Sequence, residues 1–188
     1  MILGSSCGIS ATIEVRHFSI MSEKNSAGIR PAAISNPRKR ELLLGSPEFS
    51  ELSSDVATEL VKQMEVWAVE KGVVVVQERD LGDRVYWIDR GRAEVTTLGP
   101  NGMVKLGELH TGEMFGEVAL LSRIKRRKAT VVAATELVVV SLCAAAFDKV
   151  MESHPDVWQK LRDRVDSLMN IKLKRVSGGG DGAGGFGA

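Results

Sequence analysis

Short apolar runs separated by glycine turns occupy the middle of this sequence and restrict the folds that the chain can adopt. Runs rich in β-branched residues lie on both sides of Lys71-Gly72 and of Arg90-Gly91, and residues 98–109 (LGPNGMVKLGEL) are typical of another hairpin. Residues 130–143 (TVVAATELVVVSLC) supply the last strands. Six or more short strands at this spacing predict an antiparallel β-roll of the jelly-roll type.

Helices are predicted on both sides of the strands, which makes the fold class α+β. Before them, Ser53 or Ser54 can cap a helix whose apolar residues recur at helical spacing: Val56, Leu60, Val61 and Met64. After them, one helix should end near His154, break at Pro155 and give way to a longer helix reaching about Lys174. One face of that longer helix carries Val157, Leu161, Val165, Leu168 and either Met169 or Lys172.

The composition along the chain predicts one domain with loose ends. Residues 1–45 show no sustained period and are interpreted as a flexible arm, residues 46–175 as the domain, and residues 176–188 as a glycine-rich flexible tail. The basic cluster Arg38-Lys39-Arg40 in the arm fits an acidic partner or a targeting signal, although such short runs are usually solvated charge.

Charge and cysteine content argue against several classes of protein. Lysine and arginine number 25 against 24 acids, a net charge of +1, so no nucleic-acid partner is expected. Cys7 and Cys143 form neither a disulfide framework nor a zinc motif, which fits a reducing cytoplasm. No segment reaches the roughly 20 apolar residues of a membrane span, so no direct membrane insertion is expected, although the chain can be a cytosolic piece of a membrane protein.

Residues 115–130 (FGEVALLSRIKRRKAT) combine the features of an anion site. A short helix beginning at about Gly116 to Glu117 directs unpaired backbone N–H groups outward. Glu117 precedes an apolar run and is expected in a pocket wall, where its carboxylate needs a donor such as a sugar hydroxyl. Arg127 offers a planar fork suited to a phosphate, with the N–H groups of Ala129 and Thr130 beside it.

The order FGEVALL followed by RKAT resembles the phosphate-binding cassette of cyclic nucleotide-binding domains. GDRVYWIDRGRAEV resembles that family's strand pair, and the similarity runs from about Ser46 to Lys174. The resemblance implies that Gly116 and Glu117 bind the ribose 2′-hydroxyl, that Arg127 binds the cyclic phosphate, and that a lid on the last helix covers the purine. The implied ligand-binding set is Gly116, Glu117, Val118, Ala119, Arg127, Lys128, Ala129, Thr130, Leu168 and Met169.

Two departures from the family pattern concern purine choice. The insert SRIKRR is longer and more basic than in kinase regulatory subunits, and Lys128 stands where cGMP-selective members often carry threonine. The ligand is therefore cAMP or cGMP, with a lean towards cAMP or weak selectivity. Phe115, Ala119 and Leu120 are core residues under either interpretation, and the aromatic residues Trp67, Tyr86 and Trp87 are expected to pack rather than stack on a base.

The function predicted from these residues is sensing without catalysis or a metal, in which ligand binding moves the C-terminal helices. The single cassette resembles the cytosolic domain of a cyclic nucleotide-regulated ion channel, next a kinase regulatory subunit, with an effector domain elsewhere and a monomer in isolation. The alternatives are a degenerate domain, a metal-dependent jelly-roll enzyme and a transcription regulator. Only His17, His110 and His154 are present for a metal, and the chain passes from Lys174 into glycine without a DNA-reading module.

Overall fold

Two antiparallel sheets and flanking helices make up the part of the chain that the computed structural model describes, which is residues 27–117, 126–161 and 163. The strands are β1 Ile29–Pro31, β2 Glu65–Val69, β3 Val74–Val76, β4 Arg84–Arg90, β5 Ala93–Gly99, β6 Gly102–Leu109, β7 Met114–Phe115, β8 Thr130–Ala133 and β9 Leu137–Cys143. The helices are α1 Asn36–Gly45, α2 Ser54–Gln63 and α3 Ala144–Glu152.

The sheet order confirms the predicted antiparallel roll. The five-stranded sheet has the order β1-β2-β9-β4-β7, and the four-stranded sheet has the order β3-β8-β5-β6. Strand β9 lies between β2 and β4, with Val140 opposite Val66 on one side and opposite Trp87 on the other. The predicted strands are therefore present, and the last of them forms the centre of the larger sheet.

One of the three predicted hairpins is confirmed and two are wrong. Strands β5 and β6 pair from Gly99 opposite Gly102 down to Ala93 opposite Leu109. In contrast, β2 and β3 lie in different sheets, as do β4 and β5, so the turns at Gly72 and Gly91 carry the chain from one sheet to the other. Apolar runs on both sides of a turn fit this crossover as well as a hairpin, because either arrangement directs them into one core.

The apolar side chains form two clusters on opposite faces of the five-stranded sheet. Trp87 lies on the outer face with residues of the three helices, and its ring centroid is 5.6 Å from that of Phe49. The adjacent Tyr86 faces the space between the sheets, where its ring stacks on Phe115 with centroids 5.1 Å apart. Consecutive residues of a strand point to opposite faces, which places Trp87 in one cluster and Tyr86 in the other. Both aromatic residues therefore pack in the core, as predicted.

The prediction of a flexible arm over residues 1–45 is wrong for its last part. Ser35 caps α1 through its side chain, Pro37 lies in the first turn, and Leu42 and Leu43 are fully buried against the outer face of the sheet. This helix buries only a short apolar segment, so it shows no long amphipathic period that sequence inspection can detect. Residues 1–26 lie outside the described residues.

The basic cluster of α1 is bound within the molecule rather than solvated. Arg38 Nε donates to Asp89 Oδ1 at 2.7 Å, and Arg38 also contacts Glu41. Lys39 Nζ donates to the carbonyl oxygen of Met64 at 2.8 Å, at the C-terminal end of α2. Arg40 reaches the N-terminal turn of the same helix. The three cations therefore attach α1 to its neighbours.

The other predicted helices agree with the structure where it describes them. Helix α2 begins after Ser53 and buries the expected apolar face. Helix α3 ends at Glu152, and a further helical segment runs from residue 155 to 161, so the break at Pro155 is confirmed. The continuation towards Lys174 and the tail lie outside the described residues, and the domain boundary at residue 175 stays a prediction.

Candidate functional site

A cavity of about 330 Å³ lies where the four-stranded sheet meets residues 114–117 and 126–129. We call it the site cavity. Its lining residues are Val76, Val95, Leu109, Met114, Phe115, Gly116, Glu117, Arg126, Arg127, Lys128, Ala129 and Val131. Apolar strand residues form one part of the wall and charged residues another. The cavity is therefore suited to a small ligand that has both an apolar body and an ionised group.

The two halves of the cassette, residues 115–130, meet at Gly116 and Arg127. Strand β7 ends at Phe115, and Gly116 adopts a φ of +79°, which favours glycine. Arg127 Nη1 donates to the carbonyl oxygen of Gly116 at 3.2 Å. A Cβ atom at residue 116 would overlap Arg127 Nη1 and lie 3.1 Å from the carbonyl oxygen of Arg84. Glycine is thus required both by the conformation and by the close approach of the guanidinium group.

Arg127 is a buried cation with unused hydrogen-bond donors. The residue is 5% exposed, and its Nε and Nη2 atoms have no hydrogen-bond partner among the residues that the structure describes. Burial lowers the pKa of Arg127, and the nearby acids Asp83 and Glu117 oppose this effect. Its guanidinium carbon lies 5.8 Å from the centre of the Tyr86 ring. A buried charge of this kind is stabilised by an anion that accepts from both free donors.

The backbone of Arg127 is fixed by a loop that precedes β4. The Arg127 N–H donates to the carbonyl oxygen of Asp80 at 2.8 Å, and the Arg79 N–H donates to the carbonyl oxygen of Arg127 at 2.9 Å. Arg126 donates through Nη1 to the carbonyl oxygen of Arg79 at 2.9 Å. The position of the guanidinium group therefore depends on residues far from the cassette in sequence.

The remaining cassette residues divide into those that line the cavity and those that support it. Glu117 is half-buried, Lys128 is exposed, and both line the cavity together with Ala129. Thr130 is buried and is not among the lining residues. Its hydroxyl oxygen accepts from Gln77 Nε2 and from the Glu78 N–H, each at 3.1 Å. Val118, Ala119, Leu168 and Met169 lie outside the described residues.

The apolar lining was missed by sequence inspection. Val76, Val95 and Leu109 come from three different strands, and Val131 comes from a fourth. These residues alternate along their strands in the same way as ordinary core residues, so the sequence does not distinguish the lining of a cavity from the core. One local sign of open space is Gly107 of β6, which lies opposite Val95 of β5 and adds no side chain to this part of the sheet.

Charge around the cavity favours an anionic ligand. Three consecutive cations, Arg126 to Lys128, line it together with one acid, Glu117.

In the described ranges 27–117, 126–161 and 163, no group of three or more His, Cys, Asp or Glu side chains is arranged to hold a metal ion. Across those same ranges, the helices are too short or too polar to cross a membrane.

The comparisons with known proteins agree with the resemblance found in the sequence. Residues 66–154 match the family model described as the cyclic nucleotide-binding domain. The chain is 35% identical over 125 residues to a cyclic nucleotide-gated potassium channel of Rhizobium etli, which covers 66% of this chain and 34% of the channel. It is 38% identical over 105 residues to a cAMP-dependent protein kinase regulatory subunit of Yarrowia lipolytica, which covers 56% of this chain and 27% of the subunit.

The fold is also similar to that of solved structures. A cyclic nucleotide-binding domain from Methylobacillus flagellatus superposes with a TM-score of 0.66 at 20% sequence identity, covering 79% of this chain and 85% of that one. The chain spans about a third or less of the length of the curated relatives described above. The similarity therefore concerns one domain of those larger proteins.

Proposed function

Because residues 66–154 match the cyclic nucleotide-binding domain, we propose that this chain is a regulatory sensor that binds cAMP or cGMP in the site cavity. The observation that carries the proposal is the pair of buried, unpaired donors on Arg127 at the polar part of an otherwise apolar cavity. A cyclic nucleotide supplies both complementary features, a phosphate with one negative charge and a flat purine.

We assign the polar end of the site cavity to the phosphate and the ribose. The cyclic phosphate accepts from Arg127 Nε and Nη2, in the two-donor geometry that guanidinium groups favour. The ribose 2′-hydroxyl donates to the carboxylate of Glu117, beside the backbone of Gly116. Ala129 and, by inference from the family, Val118 and Ala119 complete the phosphate end, while Thr130 supports it from behind.

The purine is assigned to the apolar part of the cavity. Val76, Val95 and Leu109 offer side chains that exclude water from its faces, and burial of apolar surface contributes roughly 25 cal/mol per Å². Lys128 lacks the side-chain hydroxyl expected in cGMP-selective relatives, so we assign either a preference for cAMP or weak selectivity. The cavity needs no metal and performs no chemical step in this proposal.

The proposed output is a movement of the C-terminal helices. A ligand shifts a conformational equilibrium only through contacts that it makes better in one state than in the other. Leu168 and Met169 are the residues that we assign to such contacts over the purine, as a lid.

We further propose that the chain is the cytoplasmic regulatory part of an ion channel, as the match to the Rhizobium etli channel favours. The match to a kinase regulatory subunit supports a second candidate, in which the chain is the regulatory domain of a cyclic nucleotide-dependent kinase.

Calorimetric titration of this chain with cAMP and then with cGMP tests the proposal. The parent should bind at least one of them, and Arg127→Ala should weaken binding by about 2–5 kcal/mol, or roughly 30-fold to several thousand-fold. Arg30→Ala is the matched control, because Arg30 is an exposed arginine of β1 outside the site cavity. Equal affinity of the parent and Arg127→Ala would show that the phosphate is assigned to the wrong residue. Absence of binding in the parent would favour the degenerate domain.

A further inference from the structure

The loop of residues 77–81, which we call the clasp loop, contains a strained residue. Arg79 has a φ of +72° and is the single non-glycine residue at positive φ in the part of the chain that the structure describes. Its side chain is largely exposed, so no burial of apolar surface offsets the cost of this conformation. A non-glycine residue in this region costs on the order of 1 kcal/mol or more, and such strain persists only where neighbouring contacts enforce it.

Glu78 supplies those contacts. Its Oε2 atom accepts from the Leu98 N–H at 2.9 Å and from Thr97 Oγ1 at 3.0 Å, which ties the loop to β5. Its own N–H donates to Thr130 Oγ1, which ties the loop to β8. The hydrogen bonds from Leu98 and Thr97 lower the pKa of Glu78, so the carboxylate is ionised and accepts strongly at neutral pH.

The clasp loop is joined in turn to Arg127. The two backbone hydrogen bonds described above link Arg79 and Asp80 to Arg127, and Leu81 forms an isolated bridge with Arg126. Glu78 itself is not a lining residue of the site cavity. We propose that Glu78 is a positioning residue for nucleotide binding, acting through the strained clasp loop to hold Arg127 beneath the ligand phosphate.

This inference rests on the proposed function, and it predicts a specific thermodynamic behaviour. Without Glu78 the strain at Arg79 has less to oppose it, so the loop relaxes and Arg127 occupies its binding position for a smaller fraction of the time. The apparent dissociation constant rises in proportion to the loss of the competent population. Replacing Arg79 by glycine removes the strain itself and should restore that population.

The first experiment measures nucleotide affinity in a set of matched variants. Glu78→Ala should bind the preferred cyclic nucleotide about three- to tenfold more weakly, as expected for the loss of one or two hydrogen bonds. The double variant Glu78→Ala/Arg79→Gly should recover most of this loss. Glu108→Ala is the control, because Glu108 in β6 also accepts from two side chains, those of Arg92 and Lys105, but has no hydrogen bond or ion pair with Arg127 among the described residues. It should leave affinity unchanged.

Parent-like affinity in Glu78→Ala would overturn the inference. So would an equal loss in Glu108→Ala, or a loss in Glu78→Ala that the added Arg79→Gly substitution does not restore, since either result indicates a general effect on stability. Hydrogen exchange of the Arg127 amide without nucleotide provides a second measurement. That amide should exchange faster in Glu78→Ala than in the parent, and an unchanged rate would contradict the proposal even if the parent bound no nucleotide.

Discussion

Two separate constraints act on Gly116 and oppose its replacement by any residue with a side chain. Its backbone has a positive φ, and its missing Cβ leaves the space that Arg127 Nη1 occupies. Strain of the backbone lowers the free energy of unfolding wherever it occurs, whereas displacement of Arg127 lowers the affinity for the ligand. The two constraints can therefore be measured independently.

Gly116→Ala should lose nucleotide affinity by at least about tenfold, since the guanidinium group must move away from its hydrogen bond with residue 116. It should also lower the free energy of unfolding by about 1 kcal/mol or more. Gly112→Ala is the control, because Gly112 has a φ of +90° but open space around its missing Cβ. The control should lose stability in urea denaturation and keep its affinity in calorimetry; a comparable loss of affinity in both variants would contradict this account.

Tyr86 is the only tyrosine of the chain, which makes its ionisation directly measurable. Burial raises the pKa of Tyr86 to about 12 in the folded protein, and its hydroxyl has no hydrogen-bond partner among the described residues. The unfolded chain ionises near pH 10 and therefore binds fewer protons than the folded chain between pH 10 and 12. Stability should fall in that range by up to about 1.4 kcal/mol per pH unit.

Ultraviolet absorbance of the phenolate should show a titration midpoint near pH 12 in the folded protein and near pH 10 in urea. Tyr86→Phe keeps the ring and removes the titrating group. The variant should lose this part of the alkaline destabilisation. An absorbance midpoint near pH 10 in the folded parent would show that the hydroxyl is accessible to water.

The sequence placed three residues that line the site cavity in one motif, but it did not reveal the contacts that support them. Gly116, Glu117 and Arg127 lie in one contiguous motif, and the structure brings all three to one cavity. The hydroxyl of Thr130 could not be assigned in advance, because it accepts from residues 77 and 78, about fifty positions away. Contacts at such sequence separation depend on the pairing of β3 with β8, which no local pattern specifies.

Among the elements, α1 shows how a short helix can be mistaken for a linker. It contributes Leu43 to the core with no exposed surface, and its three basic residues contact β4 and α2. Strand positions were easier to predict than helix α1, because β-branched runs signal a strand over only four to eight residues. Strand partners were harder, since a glycine turn fits both a hairpin and a crossover between sheets.

Leu43→Ala should lower the free energy of unfolding by about 2–5 kcal/mol, the usual cost of truncating a fully buried leucine. Leu98→Ala makes the same chemical change at a residue of β5 that is 56% exposed, and it should cost far less. Urea denaturation of both variants measures the difference. If the two costs were equal and small, residues 36–45 would behave as the flexible arm that the sequence predicted.

At the scale of the whole molecule, charge is nearly balanced, whereas the lining of the site cavity is cationic. A local field of this kind raises the association rate of an anionic ligand, and salt screens it over about 8–10 Å. The association rate of cAMP should therefore fall as ionic strength rises, with a much smaller change in the dissociation rate.

Stopped-flow measurements on Arg126→Gln/Lys128→Gln should show a slower association rate and a weaker dependence on salt than the parent. Lys62→Gln/Lys149→Gln, which removes two charges from helices α2 and α3, is the control. An association rate that is independent of salt in the parent would indicate that the field of the cavity has no part in capture of the ligand.

The central position of β9 has a consequence for how the chain is made. Strand β9 separates β2 from β4, yet the ribosome adds it roughly 4 to 16 s after β2 at about 5–20 residues per second. Once β4 has also been made, β2 and β4 each lack the neighbour that covers one edge until β9 follows. The larger sheet can close only after Leu137–Cys143 has emerged, so the newly made chain passes through a stage in which these exposed edges favour aggregation.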